Sequence, residues 1–370
     1  MTNSSRGVGP RPRHHRVMKA PLLLAALAIT LAGCSAPWIS AHTALEWTRV
    51  EPAGDCQCAD GSEFAFWERR ADPNKVVFFM NGGDVCWDAK GCAFTGDHGQ
   101  NESSGYDWSI QGTEPENRSG MFDTTRSDNP FADYSFVYVS SCTGDAHLGN
   151  ASHEYSSELT VEHRGLVNGT AALDYLAEQY PDAEQVVVIG KTAGSVAAPV
   201  YGGLAADRLP DAEVTVLGGQ SGAWPDDSDF NAKILDETWG AYDAAPDWAV
   251  DGLTARDWGV PRFWTQAGLH DPDLTLARFD FAYDPRAAVE LTPWMDGNPP
   301  DLLAEIDGNE AAIEAAGVPL HSYTAPGADH QIFEDKFYDV TVNGVRFVDW
   351  LDELVTDEPP ADVHCDQCGP

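Results

Sequence analysis

The sequence predicts an α/β fold with a mostly parallel sheet, and three observations carry the prediction. Short apolar runs recur along the chain, several of them stopped by glycine, as buried strands are. Segments with helical spacing lie between them, the alternation that builds a parallel sheet. No linker, internal repeat or low-complexity tract divides the 370 residues, and 43% hydrophobic against 22% charged is an ordinary globular balance.

The elements follow in order. Arg11 to Lys19 is a basic stretch and Pro21 to Leu31 an apolar one, too short to span a bilayer. With Leu31-Ala32-Gly33-Cys34 after it, the segment reads as a bacterial lipobox, cleaved before Cys34 with lipid on its sulfur. Residues 1–33 are therefore expected to be a lipoprotein signal peptide, 34–45 a tether and 46–370 the folded domain, exported and held at the cell envelope. Val76 to Met80 is a strand ending at Asn81-Gly82-Gly83. Gly91 to Arg126 is polar and reads as a long loop region, and Tyr134 to Val139 as a second strand. Glu162 to Tyr180 carries Leu166, Leu173, Leu176 and Tyr180 near helical spacing, with Pro181 after the end. Gln185 to Ile189 is a third strand, followed by Gly190 and a small-residue helix from Ala193 to Asp207. Glu213 to Leu217 is a fourth strand. Trp224 to Asp273, dense in Trp, Pro and Asp, is expected to be a cap or insert. Pro300 to Ala316 reads as a helix, Leu320 to Thr324 as a strand and Val345 to Val355 as a helix.

Charge narrows the partners. The net charge is −37, and the first 33 residues hold Arg6, Arg11, Arg13, Arg16 and Lys19 but no acid, so the rest is more acidic still. Such a surface repels nucleic acid and polyanions. After Cys34, seven cysteines remain: Cys56, Cys58, Cys86, Cys92, Cys142, Cys365 and Cys368. In an exported chain they read as disulfides, with Cys86–Cys92 a local pair, Cys365–Cys368 a further one and one thiol left over. A zinc site through Cys365-x-x-Cys368 lacks a well-placed second ligand pair, and no metal or organic cofactor is expected.

The chemistry is expected where strands end. Gly190-Lys191-Thr192-Ala193-Gly194 lies between a strand and a helix, the setting of a nucleophile elbow. Its glycines allow backbone to pass close to backbone, and the helix N-terminus favours developing negative charge. The glycine pair Gly82-Gly83 can present N–H groups to an oxyanion. Downstream, Asp280 and Asp284 offer acids, and Ala325 to His330 places a histidine in a loop after a strand. Nucleophile, acid, histidine is the chain order of α/β-hydrolases. Ser221 in Gly219-Gln220-Ser221-Gly222 also follows a strand and is an outside candidate. His98, His153 and His163 have no such setting and are expected at the surface.

These residues resemble the pectin acetylesterase/Notum family in its bacterial lipoprotein branch, from about Glu46 to Cys368. The similar segments are Cys58 to Ser62, Gly82 to Trp87 with Cys92, and Asn129-Pro130-Phe131. Ser141-Cys142-Thr143-Gly144-Asp145-Ala146-His147-Leu148-Gly149, the elbow, Tyr323 to His330 and Cys365-x-x-Cys368 complete them, with Asn343-Gly344-Val345 and Trp350 a looser fit. The resemblance implies an α/β-hydrolase-like three-layer fold and a carboxylesterase acting on O-acyl groups of a small molecule or glycan. By position it implies Thr192 as nucleophile, His330 as base and Asp284 as orienting acid, with Asp280 the runner-up. Gly83, Asp84 and Ala193 take the oxyanion places; Asp145 and His147 line or brace the pocket.

Two positions depart from the family pattern. Its nucleophile is Ser, and a β-branched Thr192 resists the positive φ of an elbow and crowds the attacking oxygen. Asp84 stands where bacterial relatives usually have glycine, and a carboxylate there opposes an oxyanion. The sequence thus supports an O-acyl ester hydrolase, with a surface-anchored binding lipoprotein that has lost the chemistry as the alternative.

Overall fold

The computed structural model describes residues 46–95, 105–115, 119–294, 297, 300–356 and 359–369. The signal peptide, Cys34, the tether and His98 lie outside the described residues.

The main sheet runs through strands β1 (Thr48–Val50), β2 (Phe66–Arg69), β3 (Asp72–Met80), β4 (Tyr134–Val139), β5 (Gln185–Lys191), β6 (Glu213–Gly219), β7 (Thr275–Phe281), β8 (His321–Ala325) and β9 (Val363–His364). Their order across the sheet is β1-β2-β4-β3-β5-β6-β7-β8-β9. β1 and β2 are antiparallel, as are β2 and β4; every pairing from β4 to β9 is parallel. The parallel strands are nearly all-apolar because both faces are covered. Val76, Phe78 and Met80 of β3 point into one core with Val186 and Val188 of β5, while Val77, Phe79, Val187 and Ile189 point into the other. Two cores on either side of one sheet make three layers.

Helices α1 (Gly165–Gln179), α2 (Ala193–Arg208), α3 (Val260–His270), α4 (Pro285–Leu291) and α5 (Leu302–Ala315) supply residues to the first core. α6 (Phe347–Thr356) covers the second through Phe347, Trp350, Leu351 and Leu354, joined by Phe122, Phe131 and Phe333 from irregular segments. The Trp224 to Asp273 insert joins the first helical layer. Its α3 packs on α2, and Trp239, Trp258 and Trp264 are fully buried. The Trp239 indole donates to the Cys86 carbonyl at 2.9 Å, tying the insert to the loop after β3.

The structure differs from the sequence reading at several points. β7 was expected only as a pair of acids, because Arg278 and Asp280 interrupt its apolar pattern; both are buried in the strand. β2 hides in the same way behind the buried Glu68 and Arg69. The polar stretch before α1 forms an antiparallel hairpin, Ala151–Ser156 with Leu159–His163, so the helix begins at Gly165 rather than Glu162. His163 is not a surface residue: it is fully buried, with Nδ1 2.8 Å from the Thr143 carbonyl and Nε2 2.9 Å from the Tyr155 hydroxyl. Disulfides join Cys58 to Cys142, Cys86 to Cys92 and Cys365 to Cys368, leaving Cys56 free among the described residues.

Candidate active site

β5 delivers the elbow. Gly190 and Gly194 flank it because a β-carbon at Gly190 would collide with the Gly194 carbonyl, and one at Gly194 with the Met80 carbonyl. Between them Thr192 takes φ 48° and ψ −112°, a conformation β-branched residues avoid, at a cost of roughly 1–3 kcal/mol. Its N–H donates to the Gly219 carbonyl at 2.8 Å, holding it on the neighbouring strand end. A β-carbon at Gly82 would overlap the Thr192 hydroxyl, so the loop after β3 closes directly over the elbow. α2 starts at Ala193, which places a 16-residue helix N-terminus behind this point.

The acid and the histidine come from β7 and β8, two and three strands away. Asp284 caps α4, with Pro285 at the first helical position: Oδ1 accepts from the N–H groups of Arg286 and Ala287 at 2.8 and 3.3 Å. Its other oxygen, Oδ2, lies 2.8 Å from His330 Nδ1. That leaves His330 Nε2 as the ring nitrogen open for proton transfer. Asp284 is 2% exposed, so its second oxygen faces the imidazole rather than solvent. Asp280 does not reach His330. Its Oδ1 accepts from the Gly222 N–H at 2.8 Å, Arg278 lies on its other side, and burial pushes its carboxyl up to about 6.

Gln220, on the strand end between elbow and acid, is a residue the sequence reading passed over. Its N–H donates to the Phe279 carbonyl at 2.9 Å, and its Oε1 accepts from Phe281 N–H at 2.9 Å. That second bond fixes the amide's orientation, so Nε2 faces Asp284 Oδ2 at 3.4 Å and the Asp329 carbonyl at 3.5 Å. Ser221 beside it is buried and its hydroxyl has no partner among the described residues, and the same holds for Ser195, so neither is open to a substrate.

Gly83 and Asp84 follow β3. Asp84 sits at φ 57°, and no described residue accepts from the backbone N–H of Gly83, Asp84 or Ala193. The Asp84 carboxylate forms an ion pair with Arg286 of α4. Asp107, also unsuspected from sequence, donates its N–H to the Gly83 carbonyl at 2.8 Å. A β-carbon at Gly83 would stand 2.8 Å from Asp107 Oδ2. Burial pushes this carboxyl up to about 7, against the pull of Lys191. Lys191, the residue before Thr192, pairs with Glu334 at 2.6 Å, fastening the histidine loop to the elbow strand.

Asp145 and His147 do not line the pocket; both are fully buried and act as braces. Asp145 accepts from the Thr143 hydroxyl at 2.6 Å and the Gly165 N–H at 2.8 Å, closing its loop onto α1. His147 holds the Asn81 carbonyl at 2.8 Å through Nε2, immediately before the Gly82-Gly83 turn. Burial raises the Asp145 carboxyl and keeps the imidazole neutral, so this pair is matched by hydrogen bonds rather than by solvent.

A family model, Pectinacetylesterase, matches residues 39–241, more than half of the chain, and the chain belongs to that family. The match spans Gly82 to Asp84 and the elbow, while Asp284 and His330 lie beyond it. No curated protein matches the chain. Family membership makes it, in general terms, an acetylesterase-like hydrolase.

Proposed function

We propose that this member of the pectinacetylesterase family hydrolyses O-acyl esters with Thr192 as nucleophile, His330 as base and Asp284 as orienting acid. The observation that carries the proposal is the 2.8 Å contact from His330 Nδ1 to a buried carboxylate held in place by a helix cap. In the reading, His330 Nε2 takes the Thr192 hydroxyl proton as the oxygen attacks the acyl carbon. The N–H groups of Gly83, Asp84 and Ala193 receive the oxyanion. The proton passes to the leaving alcohol as the C–O bond breaks. Water then repeats the cycle on the acyl-threonine, returning the carboxylic acid and Thr192. The net charge of −37 supports a neutral O-acylated glycan or small molecule over unmasked polygalacturonate.

The strained Thr192 favours a second reading, a binding protein that keeps the pocket without turnover. Hydrolysis of p-nitrophenyl acetate separates the two. We expect Thr192→Ser to raise kcat by about tenfold, as loss of one methyl relieves the elbow, and His330→Ala in that background to erase the gain. A folded chain inert both unmutated and as Thr192→Ser refutes the hydrolase reading.

We further propose that the chain is exported and lipid-anchored through Cys34, on the support of the Leu31-Ala32-Gly33-Cys34 stretch. Cys34→Ala should move the protein out of the detergent phase; unchanged partitioning rules the anchor out.

A further inference from the structure

Asp84 is the least expected residue of the site, because its N–H is needed and its carboxylate is not. Both belong to one residue, held at φ 57°, so the carboxylate stays within a few bonds of the N–H it disturbs. It is 202 residues from Arg286 in sequence, yet the two form an ion pair with both side chains only about a third exposed or less. Arg286 is held from three sides. Its N–H donates to Asp284 Oδ1 at 2.8 Å, its Nε to Glu290 Oε1 at 3.2 Å one helical turn on, and its guanidinium reaches Asp84. Asp84 follows β3 and Arg286 follows β7, and the two strands between them, β5 and β6, are followed by Thr192 and Gln220. The pair therefore joins the two flanks of the elbow.

We infer that Arg286 is a positioning residue for hydrolysis: its guanidinium cancels the Asp84 carboxylate beside the oxyanion donors and holds that loop to the helix capped by the acid. The inference rests on the hydrolase reading above. It explains how a carboxylate is tolerated on a residue whose N–H is offered to the oxyanion. It also sets a sign that simple packing does not share. Removing Arg286 alone strands the Asp84 carboxylate where negative charge must develop, and removing Asp84 with it takes that charge away, leaving only Glu290, one helical turn along α4, without its partner.

The test is a double-substitution cycle in the full chain, unmutated at position 192 and as Thr192→Ser, read as kcat and KM on p-nitrophenyl acetate. Arg286→Met should lower kcat by about 10- to 100-fold with KM within about threefold, because an uncancelled charge acts on the transition state. Adding Asp84→Gly should recover at least about tenfold of that loss, and about 1 M salt should relieve the single variant in the same direction. Arg286→Lys, which keeps the charge but not the fork, should stay within about threefold of its parent. Should Arg286→Met not fold, Arg286→Gln carries the same expectations. A double variant no more active than Arg286→Met overturns the inference while turnover in the parent leaves the hydrolase reading intact. Absence of turnover in every folded form overturns both.

Discussion

The two halves of the site are built on opposite terms. On the β7 and β8 side, every polar atom of the acid has a partner: Asp284 takes two backbone N–H groups, an amide and an imidazole. On the β3 and β5 side, Thr192, the proposed nucleophile, sits in a strained conformation and the proposed oxyanion loop carries a carboxylate. The acid–base half is one in which local signals agree, an Asp-Pro helix cap meeting a histidine loop. The nucleophile half breaks local rules at Thr192 and Asp84, and each break is met by a distant group: Gly219 holds the Thr192 N–H, and Arg286 neutralises Asp84. A saturated half fixes direction; a strained half leaves reactivity adjustable by single substitutions.

The sharpest way to break this contrast is at Gln220, which holds the acid half and follows Gly219, the acceptor of the Thr192 N–H. Gln220→Leu keeps most of the volume but removes the donor to Asp284 and the acceptor for Phe281 N–H. Asp284 can then turn away from His330, and we expect kcat to fall by about 10- to 30-fold with KM little changed. Gln220→Glu should fall at least as far, since it sets a second carboxylate against the first. Equal losses in kcat and KM, or none, would show that the acid is positioned by its helix cap alone.

Legibility in the sequence followed the same division. The elbow could be read because two glycines, a strand and a small-residue helix occupy consecutive positions, and His330 because Pro326-Gly327 marks a loop after a strand. Asp284 was set above Asp280 only by its place in the resemblance, although Pro285 after it is the mark of a helix cap. Gln220 and Arg286 carried no signal, since each acts by meeting residues brought together across strand ends; Asp84 and Arg286 are neighbours only because β3 and β7 flank β5 and β6. β7 was obscured by Arg278 and Asp280, whose burial depends on partners in other elements. Arg278 finds the Gly222 and Ile306 carbonyls, and Asp280 the Gly222 N–H.

The smallest effect concerns a half-buried carboxyl beside the oxyanion loop, that of Asp107. Asp284 is saturated with donors, whereas no described residue donates to the side chain of Asp107, which leans on Gly83 beside the oxyanion loop. Burial pushes Asp107 up to about 7, while in an unfolded chain it titrates near an ordinary carboxyl value of about 3.9. The sign follows from proton uptake. Below about pH 4 both states hold the proton and the residue is neutral to stability. Between about 4 and 7 the unfolded chain releases it while the folded chain keeps it, so stability falls as pH rises and stays low above 7. Asn in its place has no proton to lose and keeps the N–H that donates to the Gly83 carbonyl. Asp107→Asn should therefore match the parent near pH 4 and exceed it by about 2 kcal/mol at pH 8, half of what the full displacement would give because solvent reaches part of the group. Urea unfolding of both forms at the two pH values measures this directly. A stability difference that does not change between pH 4 and pH 8 would mean that Asp107 is ionised in the fold and partnered after all, and the contrast between a saturated and an unsatisfied half would lose its charge component, leaving only the strain at Thr192.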